Sequence, residues 1–154
     1  MIRINRETDY AVVILCLLAE DPERRYNAAW LAERRRLPLP VVSKILKQLA
    51  RAGLLISYRG AKGGYGLARP PEDISVAEIV AAIEGPISLT HCVDTGPVAC
   101  EYHDGCVVSS NWNRINQVVQ NALQGISLKD MIQPLNPVPQ EAFVPLSTLK
   151  NLGA

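Results

Sequence analysis

Three cysteines, Cys92, Cys100 and Cys106, fall within fifteen residues, separated by gaps of seven and five. Gly96, Pro97 and Gly105 lie between them and let the chain turn around a small object. This spacing does not match the paired C-x-x-C of a zinc ribbon, and three thiols can supply most of the ligands of an iron–sulfur cluster. Zinc binding, reversible thiol oxidation and reduced structural cysteines are the other chemistries open to the segment. A cluster takes four protein ligands and the segment offers three thiols, so the fourth must come from elsewhere. His91 and His103 lie in the same stretch, Asp94 and Asp104 beside it, and Glu7 and Asp9 near the start of the chain. Cys16, between Leu15 and Leu17, is read as a core residue, since a free cysteine packs as a small hydrophobe. No nucleophile with a base, phosphate-binding loop or paired carboxylates stands out, so an enzyme is not expected.

A second chemistry is electrostatic. The net charge of +1 hides a division at Pro70: residues 1–70 hold thirteen Lys and Arg against six acids, and the remainder three against nine. A half carrying +7 joined to a half carrying −6 points to a polyanion as the partner of the first.

The elements that must position these groups follow from periodicity. With 154 residues, 48% hydrophobic and 20% charged, the chain has the balance of one globular domain with a tail. Its longest apolar run, Ala11 to Ala19, fits neither a signal peptide nor a membrane span, which places the protein in the cytoplasm, with no membrane partner. Thr8 or Asp9 is expected to cap a helix over Tyr10 to Leu18, with Ala11, Ile14, Leu15 and Leu18 inward. Asn27 caps a second helix reaching the arginines at 34–36. Pro40 opens a third, with Val42, Ile45, Leu46 and Leu49 buried and Gly53 as its stop. Two extended stretches, Leu54 to Tyr58 and Tyr65 to Arg69, flank a glycine-rich tip and read as a hairpin. Three helices and a basic hairpin make a winged helix-turn-helix, mainly α with a small β wing.

In that architecture the third helix enters the major groove of double-stranded DNA and the hairpin touches backbone or minor groove. Lys44, Lys47 and Arg51 repeat along the outer face of the third helix, and Arg59 and Lys62 crown the hairpin. Such cations neutralise phosphates and hold register, while Ser43 and Gln48 are suited to base edges and Arg59 to the minor groove.

Beyond the wing, Ile74 to Glu84 reads as a helix capped by Ser75 and closed by Gly85-Pro86. The cysteine segment follows, and from about Val107 to Leu123 helical periodicity returns. Val108, Trp112, Ile115, Val118, Val119 and Ala122 form an apolar stripe, which calls for a second copy in a homodimer or for packing on its own domain. Ser127 to Ile132 reads as one more helical turn. The expected organisation is a DNA-binding region over 1–84, a cluster-binding loop over 85–106, a dimerisation helix with a short following helix over 107–132, and a flexible proline-rich tail over 133–154.

Three segments together carry a family resemblance. They are Met1-Ile2-Arg3-Ile4 with Thr8-Asp9-Tyr10-Ala11, then Arg59-Gly60-Ala61-Lys62-Gly63-Gly64-Tyr65-Gly66-Leu67-Ala68, then the three-cysteine loop. Over about residues 1–132 the chain resembles the bacterial winged-helix iron–sulfur regulators typified by IscR and NsrR. The stretch Asn111-Trp112-Asn113-Arg114-Ile115-Asn116 is most similar to regulators of the SUF assembly system. The resemblance implies a homodimeric transcription factor, in the main a repressor of iron–sulfur assembly genes, whose cluster is 2Fe-2S or 4Fe-4S. It implies Cys92, Cys100 and Cys106 as ligands. Some members use a histidine three residues after the last cysteine, where this chain has Ser109; others use an aspartate early in the first helix from the partner subunit, and Asp9 stands at that place.

Overall fold

The computed structural model describes residues 3–60, 63–90, 93 and 106–133. The first helix, α1 (Arg6–Ala19), begins a full turn earlier than its apolar period requires. Asn5, not Thr8 or Asp9, is the cap: its side-chain oxygen accepts from the Thr8 backbone N–H at 2.8 Å and from the Thr8 hydroxyl at 3.1 Å. That leaves Glu7 and Asp9 in the first turn, where the helix dipole favours negative charge. Ala11, Ile14, Leu15 and Leu18 are buried as the period predicts, joined by Leu17.

Asn27 caps α2 (Ala28–Arg35) through the Trp30 N–H at 2.7 Å, and Arg36 closes it in the left-handed region at φ 54°. In α3 (Leu39–Arg51) Pro38 is the cap residue and Pro40 the second position rather than the first, both where no helical N–H is needed. Val42, Ile45, Leu46 and Leu49 are fully enclosed. Strands β1 (Leu55–Tyr58) and β2 (Gly64–Leu67) pair antiparallel with Leu55 opposite Leu67 and Tyr58 opposite Gly64. The segment before α2 joins this hairpin, since Tyr26 and Tyr65 exchange both backbone hydrogen bonds, at 3.0 and 2.8 Å. Gly64 makes that approach possible: it sits at φ 149°, and a Cβ there would meet the Tyr26 carbonyl oxygen at 2.7 Å.

A 3-10 turn over Pro71–Asp73 leads into α4 (Val76–Glu84), which Ser75 and Glu78 start with a capping box. Helices α5 (Ser109–Gln124) and α6 (Leu128–Ile132) complete the described chain. The short α6 contributes to the main core rather than trailing from it. Leu128 is fully buried there with Ile14, Leu31, Ile45, Leu54, Ile74 and Ile79. Its N–H donates to the Ile74 carbonyl at 2.7 Å, and the Val76 N–H donates to Ile126 at 2.8 Å, so the α5–α6 junction is stitched to the entry of α4. None of the described helices is long and apolar enough to cross a membrane.

The α5 stripe behaves differently. Val108, Trp112, Ile115 and Val118 are all exposed, Val118 by 60%, and the one buried residue of the helix is polar, Asn116. Helix α5 does pack on α4, but of the stripe only Val119 is half-buried, and Ala122 is exposed with the other four. The expected tail lies outside the described residues.

Candidate functional site

The outer face of α3 carries the groove-directed side chains. Lys44, Lys47 and Arg51 are exposed, and Ser43 and Gln48 are half-buried. Gln48 departs from the simplest reading, because its side-chain oxygen is enclosed and has no donor. A buried acceptor without a partner costs free energy, so turning the amide outward toward a base edge relieves that cost. Lys44 is already engaged: its Nζ donates to both carboxylate oxygens of Glu7, at 2.7 and 2.8 Å. Sequence reasoning weighed Glu7 as a metal ligand; the fold makes it the counter-ion of the third helix, tying the first turn of α1 to α3.

Arg59 is exposed at the end of β1, and Lys62 lies outside the described residues. The turn beyond Arg59 depends on Gly63, whose N–H donates to the Gly60 carbonyl at 2.9 Å. A Cβ on Gly63 would lie 2.3 Å from the Tyr58 carbonyl oxygen, so no other residue fits without moving the turn.

Of the three loop cysteines, Cys106 is described; Cys92 and Cys100, with His91, His103, Asp94 and Asp104, lie outside the described residues. Cys106 is a half-buried free thiol whose carbonyl accepts from the Ser109 N–H at 3.3 Å and the Ser109 hydroxyl at 3.0 Å, placing it at the entry of α5. Asp9 is exposed on the first turn of α1. Among the described residues no three Cys, His, Asp or Glu side chains converge on one point. The donor set itself, three thiols with one carboxylate, suits iron better than a hard oxygen-loving cation. Cys16 is half-buried against the core, and burial pushes its thiol above the ordinary range, which makes it a poor ligand or nucleophile.

Two anchors hold the near end of the cysteine segment, and neither was legible as such in the sequence. Glu84, the last residue of α4, accepts through Oε1 from the Asn5 N–H at 3.1 Å and from the buried Thr8 hydroxyl at 2.6 Å. Asn116 of α5, 6% exposed, donates to the Ile87 carbonyl at 3.0 Å and accepts from the Leu89 N–H at 3.1 Å. The chain leaving α4 is thus pinned to the first turn of α1 and to the middle of α5, with the last pinned residue three positions before Cys92. A threonine in a first helical turn reads as a cap, and an asparagine within a polar run reads as surface; only the tertiary arrangement gives each a partner more than twenty residues away.

These elements define a winged helix-turn-helix protein of the kind that binds DNA, with a cysteine segment rooted between α4 and α5. The profile of the Rrf2 family, described as iron-dependent transcriptional regulators, matches residues 4–134, and the chain belongs to that family of DNA-binding regulators. A protein of Synechocystis sp. named as an HTH-type transcriptional regulator is 34% identical over 133 residues, 84% of this chain and 86% of its own. The regulator IscR of Xenorhabdus nematophila is 28% identical over 132 residues, 85% of this chain and 79% of its own. Among solved structures, CymR, the global cysteine regulator of B. subtilis, superposes with a TM-score of 0.65 at 27% identity, covering 86% of this chain and 97% of that one. The IscR of T. potens superposes with a TM-score of 0.62 at 29% identity, covering 85% and 86%.

Proposed function

We propose that this regulator is a homodimer that senses iron–sulfur supply through a cluster held by Cys92, Cys100 and Cys106, with Asp9 of the partner subunit as the fourth ligand, and that it represses iron–sulfur assembly genes of the SUF type. The observation that carries the reading is the cysteine trio, placed by sequence between two elements whose anchors reach the first turn of α1 and, through Glu7, the third helix. The similarity to two IscR proteins supports it. When bound, the cluster supplies an oxidant- and iron-sensitive link among the cysteine loops and the Asp9 turn. The protein's own residues do the remainder. Glu84 and Asn116 hold the root of the loop, the exposed stripe of α5 is covered by a second copy, and Glu7 carries any shift of α1 to Lys44.

Coupling of this kind amounts to about 1–3 kcal/mol, or 5- to 150-fold in operator affinity. On DNA, Lys44, Lys47, Arg51 and Lys62 contact phosphates, Ser43 and Gln48 read base edges, and Arg59 enters the minor groove.

Anaerobic purification, with ultraviolet–visible and circular dichroism spectra and iron and acid-labile sulfide assays on one sample, tests the cofactor. A brown protein with matched iron and sulfide that bleaches in air is expected, as is a folded but colourless Cys92→Ala. A parent that stays colourless after anaerobic reconstitution, or a Cys92→Ala variant with unchanged absorbance, overturns the ligand assignment. The second reading, favoured by the likeness to the cysteine regulator CymR, is a winged-helix regulator that answers to thiol chemistry without a cluster. A colourless protein whose DNA affinity changes on oxidation would establish it.

A further inference from the structure

The segment joining α1 to α2 carries two consecutive arginines, and each guanidinium lies on an aromatic face. Arg24 sits over the rings of Tyr26 and Trp30, 5.1 and 5.4 Å from their centroids. Arg25 sits over Tyr58 at 3.7 Å, the tightest of the three contacts. Tyr58 is the last residue of β1, paired with Gly64 at the turn end of the hairpin, and Arg59 follows it in the chain. The arrangement follows from the sequence: Gly64 lets residues 24–26 lie against β2, which brings the residue before Tyr26 alongside the strand end.

Four other cations of the described chain, Arg35, Lys44, Arg69 and Lys129, are neutralised by carboxylates. Arg25 is exposed and has no carboxylate within ion-pair distance among the described residues, although Glu20, Asp21 and Glu23 lie close in sequence. A guanidinium held over a ring leaves N–H donors for another partner while the contact restricts its rotamers, so less ordering entropy remains to be lost when an anion arrives. Planar, edge-on donors of this kind match the two free oxygens of a phosphodiester.

We propose that Arg25, seated on Tyr58, is a phosphodiester contact at the turn end of the wing, outside the third helix. The inference rests on the DNA-binding reading above and adds to it a sequence-independent anchor supplied by the α1–α2 segment. It makes Tyr58 a positioning residue, acting through its ring and not its hydroxyl.

A phosphate contact needs no operator, so the test uses the full chain and a 30-base-pair duplex of random sequence, with affinity measured across a salt series. For Arg25→Ala the slope of log affinity against log salt is expected to fall by about 0.9, one phosphate contact, with a loss of about threefold to tenfold near 0.1 M salt. Arg25→Lys keeps the charge and hence the slope, but binds more weakly because ammonium does not stack. Tyr58→Phe preserves both quantities, and Tyr58→Ala lowers affinity with the slope retained. Circular dichroism at the assay temperature checks folding, and Arg25→Gln is read on the same slope in place of Arg25→Ala should the latter be unfolded. An unchanged slope in the folded variant overturns the proposal, as does a Tyr58→Phe variant as weak as Tyr58→Ala. Arg59→Ala serves as the control. If it weakens binding while Arg25→Ala does not, only this inference fails; if the parent shows no salt-dependent binding to any duplex, the DNA-binding reading fails and takes this inference with it.

Discussion

The third helix and α5 each carry an apolar stripe, and the two stripes meet different fates. Val42, Ile45, Leu46 and Leu49 vanish into the core, whereas Val108, Trp112, Ile115 and Val118 face outward. Periodicity specifies which face of a helix seeks cover, but not which chain supplies it. In the winged-helix half the stripes of α1 and α3 find their partners on the same polypeptide, with Leu128 of the short α6 completing that core. In α5 the side turned toward the body of the domain is anchored by Asn116, with Val119 and Leu123 half-buried beside it, and the rest of the apolar stripe is left for another surface.

The contrast is broken most sharply at α5. Replacing Ile115 and Val118 together by Asp removes about 1.5–3 kcal/mol of burial at each position in a dimer, so dimer affinity should fall at least about 100-fold while the monomer stays folded. Sedimentation equilibrium with far-ultraviolet circular dichroism checks both halves, and a variant that unfolds instead would place the stripe in the monomer's own core. Leu128→Ala should do the converse, lowering unfolding free energy by about 2–5 kcal/mol in urea melts. A change under about 1 kcal/mol would show that α6 is peripheral.

Asn116→Ala sharpens the comparison at its polar side. It strips the half-buried Ile87 carbonyl and Leu89 N–H of their partners and should cost about 0.5–1.5 kcal/mol. It should also speed bleaching of the reconstituted protein in air, which Asn116→Asp, able to restore only the bond from the Leu89 N–H, would correct in part. The last effect lies at α4. Ser75→Ala should lower stability by about 1 kcal/mol through loss of the capping box. For its partner Glu78, burial alone would raise the carboxyl, but the Ser75 N–H and hydroxyl and the Arg69 guanidinium outweigh it and hold the group below the ordinary glutamate range. Its stabilising share is therefore present at neutral pH, above the unfolded value, and is lost as pH falls through the folded value. Urea midpoints compared between pH 7 and pH 3 should drop more for the parent than for Glu78→Gln.

Most of the fold was legible because it rests on local rules. The Asn27 and Ser75 caps, the hairpin and the buried faces of α1 and α3 each follow from a few neighbouring residues. The start of α1 was misplaced because Asn5 precedes the apolar period, so hydrophobic spacing held no trace of it. What escaped in the site is long-range: Glu7 with Lys44, Thr8 with Glu84, and Asn116 with Ile87 and Leu89 join side chains far apart in the chain. Residue type announces that a hydroxyl or amide needs a partner, not where the fold will bring one.

The proposed coupling between the cysteine segment and the DNA-reading face is tested most directly by operator affinity measured in two states of one preparation. An operator selected from a random duplex library would be titrated at fixed salt with the anaerobic, cluster-loaded protein, and again after the same sample has been bleached in air and reduced. The two affinities are expected to differ by about 5- to 150-fold, with the difference abolished in Cys92→Ala. Equal affinity in the two states would leave a DNA-binding winged helix whose cysteine segment does not speak to it, and would overturn the proposed coupling.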